Sequence, residues 1–419
     1  MLERSRRDSR AVAAQDHCHI NFTDDESIPP KWREVLECRK CKRRVVEYIG
    51  DTILLVAPQL LKDNQWLYVA GSGEGQDGYR VWCTSIDCIE REVPELCCNA
   101  EEADTRVWLH AKFASSSRAL VFSPDTDVYH IGLAAGMDFD QCEVIVQLSS
   151  VGRDLQLLHM NHLIEAIHYD PSLSTIPGCD LLGAIQMLYI TTGYDFTSFF
   201  VGLGKVMFLK SFYACSEFIS SGMDPSTPGV LACKDPESSG FLSFIRLVGA
   251  TYFAKHRGAF LENSAASLYN QLSTPDISPA EQHKIWYSEI RSKVWERILH
   301  EDHLPPSVEA LELHWLRAVW VADYWQQACN KTMSLLPLNW FGWKESNDNE
   351  VRIEWDTEDN LKKVRNCVAF LTKGCACKTG CQTKRCRCVK DQHPCGPGCT
   401  CNKSNQKCHN IQDTGTVYT

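Results

Sequence analysis

Nine cysteines crowd into the stretch from Gly374 to Cys408: Cys375, Cys377, Cys381, Cys386, Cys388, Cys395, Cys399, Cys401 and Cys408. Val389 is the one large aliphatic residue among them. A segment of that composition cannot bury enough apolar surface to offset its chain entropy. Something else must fold it, and the choice is disulfides or metal. Cys-x-Cys occurs three times, and cysteines one residue apart bond to each other poorly but suit a shared ion. An odd count leaves a thiol over after pairwise oxidation. Zinc takes four thiolates at tetrahedral geometry, so nine sulfurs serve three zincs when some of them bridge two ions.

Charge points the same way. Between Leu361 and Asn410 there are eleven Lys or Arg and one acid, Asp391. Three zincs and nine thiolates sum to minus three, which the basic residues more than offset. A small rigid basic knob is an electrostatic footprint for phosphates, with Lys384, Arg385 and Arg387 interleaved among the cysteines. The nine-cysteine pattern resembles the tesmin/TSO1-like CXC family. That resemblance implies a three-zinc cluster, DNA as partner and the nine cysteines as ligands. The family's best-known pattern has a tyrosine just before the second Cys-x-Cys, where its ring enters the minor groove. Arg385 stands there in this chain, a residue suited to a narrow, negative, A·T-rich groove.

The chain has 419 residues, enough for two or three domains, and 44% of them are hydrophobic. Net charge is −10, but the cysteine segment carries +10, so the remainder carries −20. An acidic body with a basic tail assigns nonspecific nucleic-acid binding to the tail. No stretch reaches about 18 consecutive apolar residues, so no membrane span is expected. The polar opening Met-Leu-Glu-Arg-Ser-Arg-Arg does not read as a signal peptide. Cysteines scattered through the body fit a reducing compartment. With DNA as partner, the nucleus follows.

Along the body, His19–Phe22 reads as a short strand and Trp32–Ile49 as a charged amphipathic helix that can extend to Leu61. Cys38 and Cys41 form a Cys-x-x-Cys near His17 and His19, read as two thiols on one helix face in preference to a fourth zinc site. Trp66–Ala70 is a strand, ended by Gly-Ser-Gly-Glu-Gly. Glu102 and Asp104 stand where a helix should begin, a position that suits acids. Leu120–Phe122 is an apolar strand with Asp125 and Asp127 at its carboxyl end. Two positions apart in extended chain, those carboxylates project to one side. Cys142–Leu148 is a second strand. A helix ends at Gly193, Asp195 follows, and Gly202-Leu-Gly204-Lys205 turns into another helix, with glycines that let backbone N–H groups approach a phosphate.

The order Glu102-Ala-Asp104, Ser123-Pro-Asp125-Thr-Asp127, Gly193-Tyr-Asp195 and Gly202-Leu-Gly204-Lys205 resembles the flap-endonuclease-like group of PIN-domain nucleases. The resemblance implies an α/β PIN-like fold in which the five acids hold two Mg²⁺ or Mn²⁺ ions and the glycine turn with Lys205 grips duplex DNA. Hard divalent ions take carboxylate oxygens, and a metal pair supplies both the hydroxide and the stabilised leaving oxygen of phosphodiester hydrolysis. The family also carries acids on an opening strand, and this chain has no matching Asp, so the domain reads as incomplete at its N-terminus. The expected organisation is a PIN-like α/β domain over 1–215, a helical region over 216–345, a linker with a short basic helix over 346–366, and the zinc-cluster domain over 367–410. The whole arrangement is also similar to long invertebrate proteins associated with mobile elements. The helical region shows helical spacing of tryptophans, read as core. Two rival functions accompany DNA binding with possible cleavage: a noncatalytic chromatin or regulatory protein on an inert nuclease scaffold, and a metal-buffering thiolate cluster. The interleaved Lys and Arg speak against buffering.

Overall fold

The computed structural model describes residues 32, 39–75, 78–88, 91–100, 102–114, 116–135, 137, 139–149, 154–174, 176, 181–221, 238–298, 303–345, 351–356, 374–378, 380–390, 394–396, 399–403 and 408–410. The expected strand His19–Phe22, Cys38 of the Cys-x-x-Cys and residues 357–366 of the expected linker and basic helix lie outside the described residues. The fold is mixed α/β, with small sheets and many helices.

Helix α1 (Arg39–Val56) buries Cys41 and Leu54, and packs on β1 (Trp66–Gly75). Strand β1 pairs with β2 (Gly78–Ser85), which pairs with β3 (Arg91–Glu92), all antiparallel. The strand expected to stop before Gly71 thus runs through the glycines. The register shifts between Ala70 and Glu74, and Gly71 at φ +94° supplies the left-handed backbone there. A glycine run reads as a loop in sequence, yet a bulged hairpin uses the same freedom.

Next come α2 (Ala103–Phe113), β4 (Arg118–Phe122), α3 (Asp127–Ala134), β5 (Glu143–Gln147), β6 (Leu157–His159), α4 (Met160–His168) and α5 (Leu181–Thr191). Strands β4 and β5 are parallel, with Leu120 opposite Ile145, and α3 lies in the crossover between them. Strand β6 returns antiparallel on the far side of β5. After these follow α6 (Lys205–Ala214), α7 (Ser216–Ser220), α8 (Ser239–Lys255), α9 (Ala265–Leu272), α10 (Pro279–Trp295) and α11 (Val308–Gln326). Among the described residues no helix is long and apolar enough to cross a membrane. Part of the expected linker is instead a hairpin of β7 (Trp343–Glu345) and β8 (Val351–Ile353), because the indole of Trp343 is buried edge-on to Trp320 and anchors it. Two one-turn helices, α12 (Arg387–Lys390) and α13 (Thr400–Lys403), lie among the cysteines.

The chain divides into two compact units, one of Met1–Phe199, Met223–Gly240 and His314–Glu354, the other of Phe200–Gly222, Phe241–Leu313 and Trp355–Thr419. The core of the first gathers around Trp108, whose Nε1–H donates to the Val128 carbonyl at 3.0 Å. Gly132 on α3 makes that packing possible, since a Cβ there would lie 2.2 Å from the Trp108 ring. Helix α5 is apolar nearly all round and is buried along its length. His314 reaches its C-terminus, and its Nε2–H donates to the Thr191 carbonyl at 2.7 Å.

The second unit is built on α8, which is apolar on every side and buried, and meets the Trp286 ring of α10 at Gly249. One buried cation sits in this core. Arg246 lies between the rings of Phe218 and Tyr269, donates from Nη1 to the Phe218 carbonyl at 2.7 Å, and donates from Nε to His283 Nε2 at 2.7 Å. Rings and carbonyls replace a carboxylate as its surroundings.

Candidate metal centre and acidic site

The cysteine segment folds into a knot of sulfur. Cys375, Cys381, Cys386, Cys388, Cys395, Cys399 and Cys401 are buried, with Cys377, Cys408 and Val389 packed against them. All nine thiols are free of disulfides. The Sγ–Sγ separations are 3.7 Å for Cys375–Cys381, 3.9 Å for Cys375–Cys395, 3.6 Å for Cys375–Cys401, 4.0 Å for Cys386–Cys395 and 3.6 Å for Cys388–Cys399. Four sulfurs about 2.3 Å from a tetrahedral zinc stand about 3.8 Å apart, so these distances match the edges of zinc tetrahedra. The donor chemistry and the spacing both fit zinc.

Three four-sulfur sets arise, each with all ligand atoms within 4.8 Å: Cys375, Cys377, Cys381 and Cys386; Cys375, Cys388, Cys395 and Cys399; and Cys375, Cys381, Cys395 and Cys401. Cys375, Cys381 and Cys395 recur between sets. The segment can therefore hold zinc as a CXC-like module does. Burial opposes ionisation throughout the cluster; at Cys375 the Cys377 N–H and the thiols of Cys401, Cys386 and Cys381 outweigh it and turn the balance downward, while Cys377, Cys381, Cys388, Cys395 and Cys401 are pushed up. Burial likewise opposes ionisation of Cys408, and the Asn410 N–H with the thiols of Cys401, Cys395 and Cys381 turns the balance downward.

Backbone bonds hold the ligand loops in register. Thr400 N–H donates to the Cys375 carbonyl at 2.8 Å, His409 N–H to Gly380 at 2.9 Å, and Cys395 N–H to Asn410 at 2.6 Å. Other donors aim at sulfur: the N–H groups of Cys375 and Gly396 at Cys399 Sγ (3.3 and 3.4 Å), and Asn410 Nδ2 at Cys395 Sγ (3.5 Å). Such N–H···S contacts suit thiolates that bind metal. Cys381 takes φ +50°, a left-handed turn that brings the chain back over the cluster.

A repeat in this segment escapes the spacing argument. Cys386, Cys388 and Cys395 recur thirteen residues later as Cys399, Cys401 and Cys408. Helices α12 and α13 occupy the same place in the two copies. Lys384, Arg385 and Arg387 are all exposed, on the first copy. Their counterparts in the second copy are Pro397, Gly398 and Thr400, so these three charges belong to the first copy alone.

The five acids all fall in the first unit. Glu102 is the N-cap of α2 and Asp104 lies in its first turn. Asp125 follows β4, and Asp195 follows α5 past Gly193, whose φ of +120° turns the chain. The expectation that Asp125 and Asp127 project together from extended chain is corrected. Asp127 opens α3, and its N–H donates to Asp125 Oδ1 at 3.1 Å, because Ser123-Pro124 ends the strand and the carboxylate starts a helix. The Tyr189 hydroxyl from α5 donates to Asp127 and lies 2.9 Å from Thr126 Oγ1. Burial, and then the charges of Asp125 and Asp195, push the Asp104 carboxyl above its ordinary range. Burial, and then Glu102, Asp127 and Asp195, push the Tyr194 hydroxyl upward. Residues far apart in sequence thus share one electrostatic neighbourhood. Among the described residues no three of these carboxylates have oxygens within 4.8 Å of one another. Gly202, Gly204 and Lys205 belong to the second unit, with Gly202 at φ +71° and Gly204 the N-cap of α6.

Comparison with family models, with curated proteins and with solved structures finds no match. The functional reading therefore stands on this geometry.

Proposed function

We propose that this chain is a nucleic-acid-binding protein anchored by a three-zinc CXC module. The observation that carries the reading is the trio of overlapping sulfur sets beside an exposed basic run. One zinc takes Cys375, Cys377, Cys381 and Cys386, and a second takes Cys375, Cys388, Cys395 and Cys399. For the third, Cys408, which packs against the cluster, takes the place of Cys375 beside Cys381, Cys395 and Cys401, so that Cys375 serves no more than two ions. Every cysteine is then used, and Cys375, Cys381 and Cys395 each bridge two ions. Zinc's contribution here is structural, closing loops that have almost no apolar core. Lys384, Arg385 and Arg387 face the phosphates and minor groove of duplex DNA, in the nucleus. Arg385→Ala weakens duplex binding, measured by fluorescence anisotropy, with zinc content unchanged. Equal affinity in that variant removes Arg385 from the interface.

A second reading concerns the first unit. The mutual influence of Asp104, Asp125 and Asp195 favours it. Glu102, Asp104, Asp125, Asp127 and Asp195 would hold Mg²⁺ or Mn²⁺, which supplies an activated hydroxide and a stabilised leaving oxygen for phosphodiester hydrolysis. Tyr189 fixes the Asp127 carboxylate through its hydroxyl. The test is cleavage of labelled flap, gapped and plain duplex DNA, against Asp125→Asn/Asp127→Asn. Cutting that the double variant loses supports a nuclease. Binding without cutting leaves a noncatalytic DNA-binding protein.

A further inference from the structure

Helix α1 carries two apolar faces. The inner one buries Cys41, Gly50 and Leu54, and Ala57 continues it into the single 3-10 turn that follows the helix. The outer one is a stripe of Val46, Ile49, Ile53 and Val56, with Leu60 just past that turn. These five recur at intervals of three, four, three and four residues, and all are exposed, from 41% at Val46 to 77% at Leu60. At 3.6 residues per turn the four helical positions fall within about 80° of the circumference. Exposed polar Thr52 and Gln59 bound the stripe on one side, and buried Gly50 and Ala57 bound it on the other.

The width of the stripe selects its occupant. Alternate threes and fours set apolar side chains along one line, which is the seam of a helix pair. A helix that lies on a membrane or under a sheet shows a broader face. A seam of this kind is complemented by the same seam from a second copy, because a two-fold axis matches a patch to itself.

Charge selects the direction. Lys42 continues the stripe one step toward the N-terminus and is exposed, with Arg43 and Arg44 next in sequence. Parallel pairing would set Lys42 against Lys42 and gather these cations at one end, which is unfavourable. Antiparallel pairing about Asp51 sets Val46 against Val56 and Ile49 against Ile53, each pair occurring twice. It also sets Lys42 against Leu60 of the other copy. Helical side chains lean toward the N-terminus, so the Lys42 stem covers that leucine and its ammonium reaches the exposed Asp63 beyond it. The flanking residues Val45, Thr52 and Gln59 carry no charge to oppose the pairing.

We infer that α1 pairs antiparallel with α1 of a second copy through the seam Val46–Leu60, giving a two-fold dimer. Four apolar layers make a small interface, so association falls in the micromolar range rather than the nanomolar.

The test is analytical ultracentrifugation of the full zinc-loaded chain over a concentration series. High salt is used to screen surface charge and remove bound nucleic acid. The unaltered chain is expected to reach the mass of two chains. Ile49→Lys/Ile53→Lys is expected to keep the mass of one at every concentration, with zinc content and circular dichroism unchanged. Should that variant fail to fold, Leu60→Lys alone is expected to raise the dissociation constant about tenfold or more. At low salt Lys42→Glu is expected to weaken the dimer by roughly threefold to tenfold, and Lys42→Glu/Asp63→Lys to restore it. Absence of that rescue overturns the antiparallel direction. A single-chain mass for the unaltered protein, or a dimer that survives Ile49→Lys/Ile53→Lys, overturns the pairing. Capture of a monomer by phosphatidylserine vesicles, lost in the same variant, identifies a lipid surface and also overturns it.

Discussion

Individual sulfurs are not equivalent in this cluster. Cys375 bridges two of the three proposed zinc sites, while Cys377 belongs to one. Cys375→Ser is expected to lower zinc content by two or more ions per chain, and Cys377→Ser by no more than one, as read by elemental analysis. Equal losses would rule out shared sulfurs. Two histidines carry a separate prediction. Burial is the main cause that brings both His314 and His283 down to a pKa of about 4; the Arg317 charge acts with it on His314. At His283 the Pro279 carbonyl pulls the other way, and the nearby Arg246 adds to the lowering. In the unfolded chain each titrates near about 6.5, so between these values the unfolded state binds more protons. Stability is present above that window and is lost as pH falls through it, by up to roughly 3 kcal/mol per histidine. His314→Gln is expected to flatten the fall between pH 7 and pH 5, measured by urea unfolding. An unchanged slope would mean that His314 already binds a proton in the fold.

Helices and strands were the most legible part of the sequence. The helix begun by Glu102 and Asp104, the strands around Leu120 and Ile145, and the helix that ends before Gly193 all follow from apolar spacing and local punctuation. The hairpin through Gly71 and the pair β7–β8 did not, because a bulge and a single buried indole decide them. Packing between elements has its own test. Gly132→Ala puts a methyl group into the Trp108 ring, where α2 meets α3. It is expected to cost about 1–3 kcal/mol in denaturant unfolding. Full stability would show that the two helices can separate freely. The two cysteine copies also differ in charge at matched positions. Arg387→Ala on the first copy is expected to weaken duplex binding, and Thr400→Ala at the equivalent place on the second to leave it unchanged; equal effects would mean that both copies face DNA.

At the scale of the molecule, metal and apolar burial fold different parts. Chelation of zinc is expected to abolish hydrogen-exchange protection within 374–410 while the cores around Trp108 and Trp286 keep theirs. Global loss of protection would show that the cluster holds the rest together. By itself the sequence determined the ligand chemistry, the charge contrast between tail and body, and the elements around the acidic motifs. Those depend on residue type and on spacing within a few turns of chain. Only the tertiary structure decided which sulfurs are shared between sets and that Asp104, Asp125 and Asp195 influence one another. It alone also brought Arg297 to Gly258 after α8, and Lys255 and His303 to the Gly202 turn. Each of these is a contact between residues distant in sequence, and the closure of long loops that creates them leaves no periodic trace in the chain.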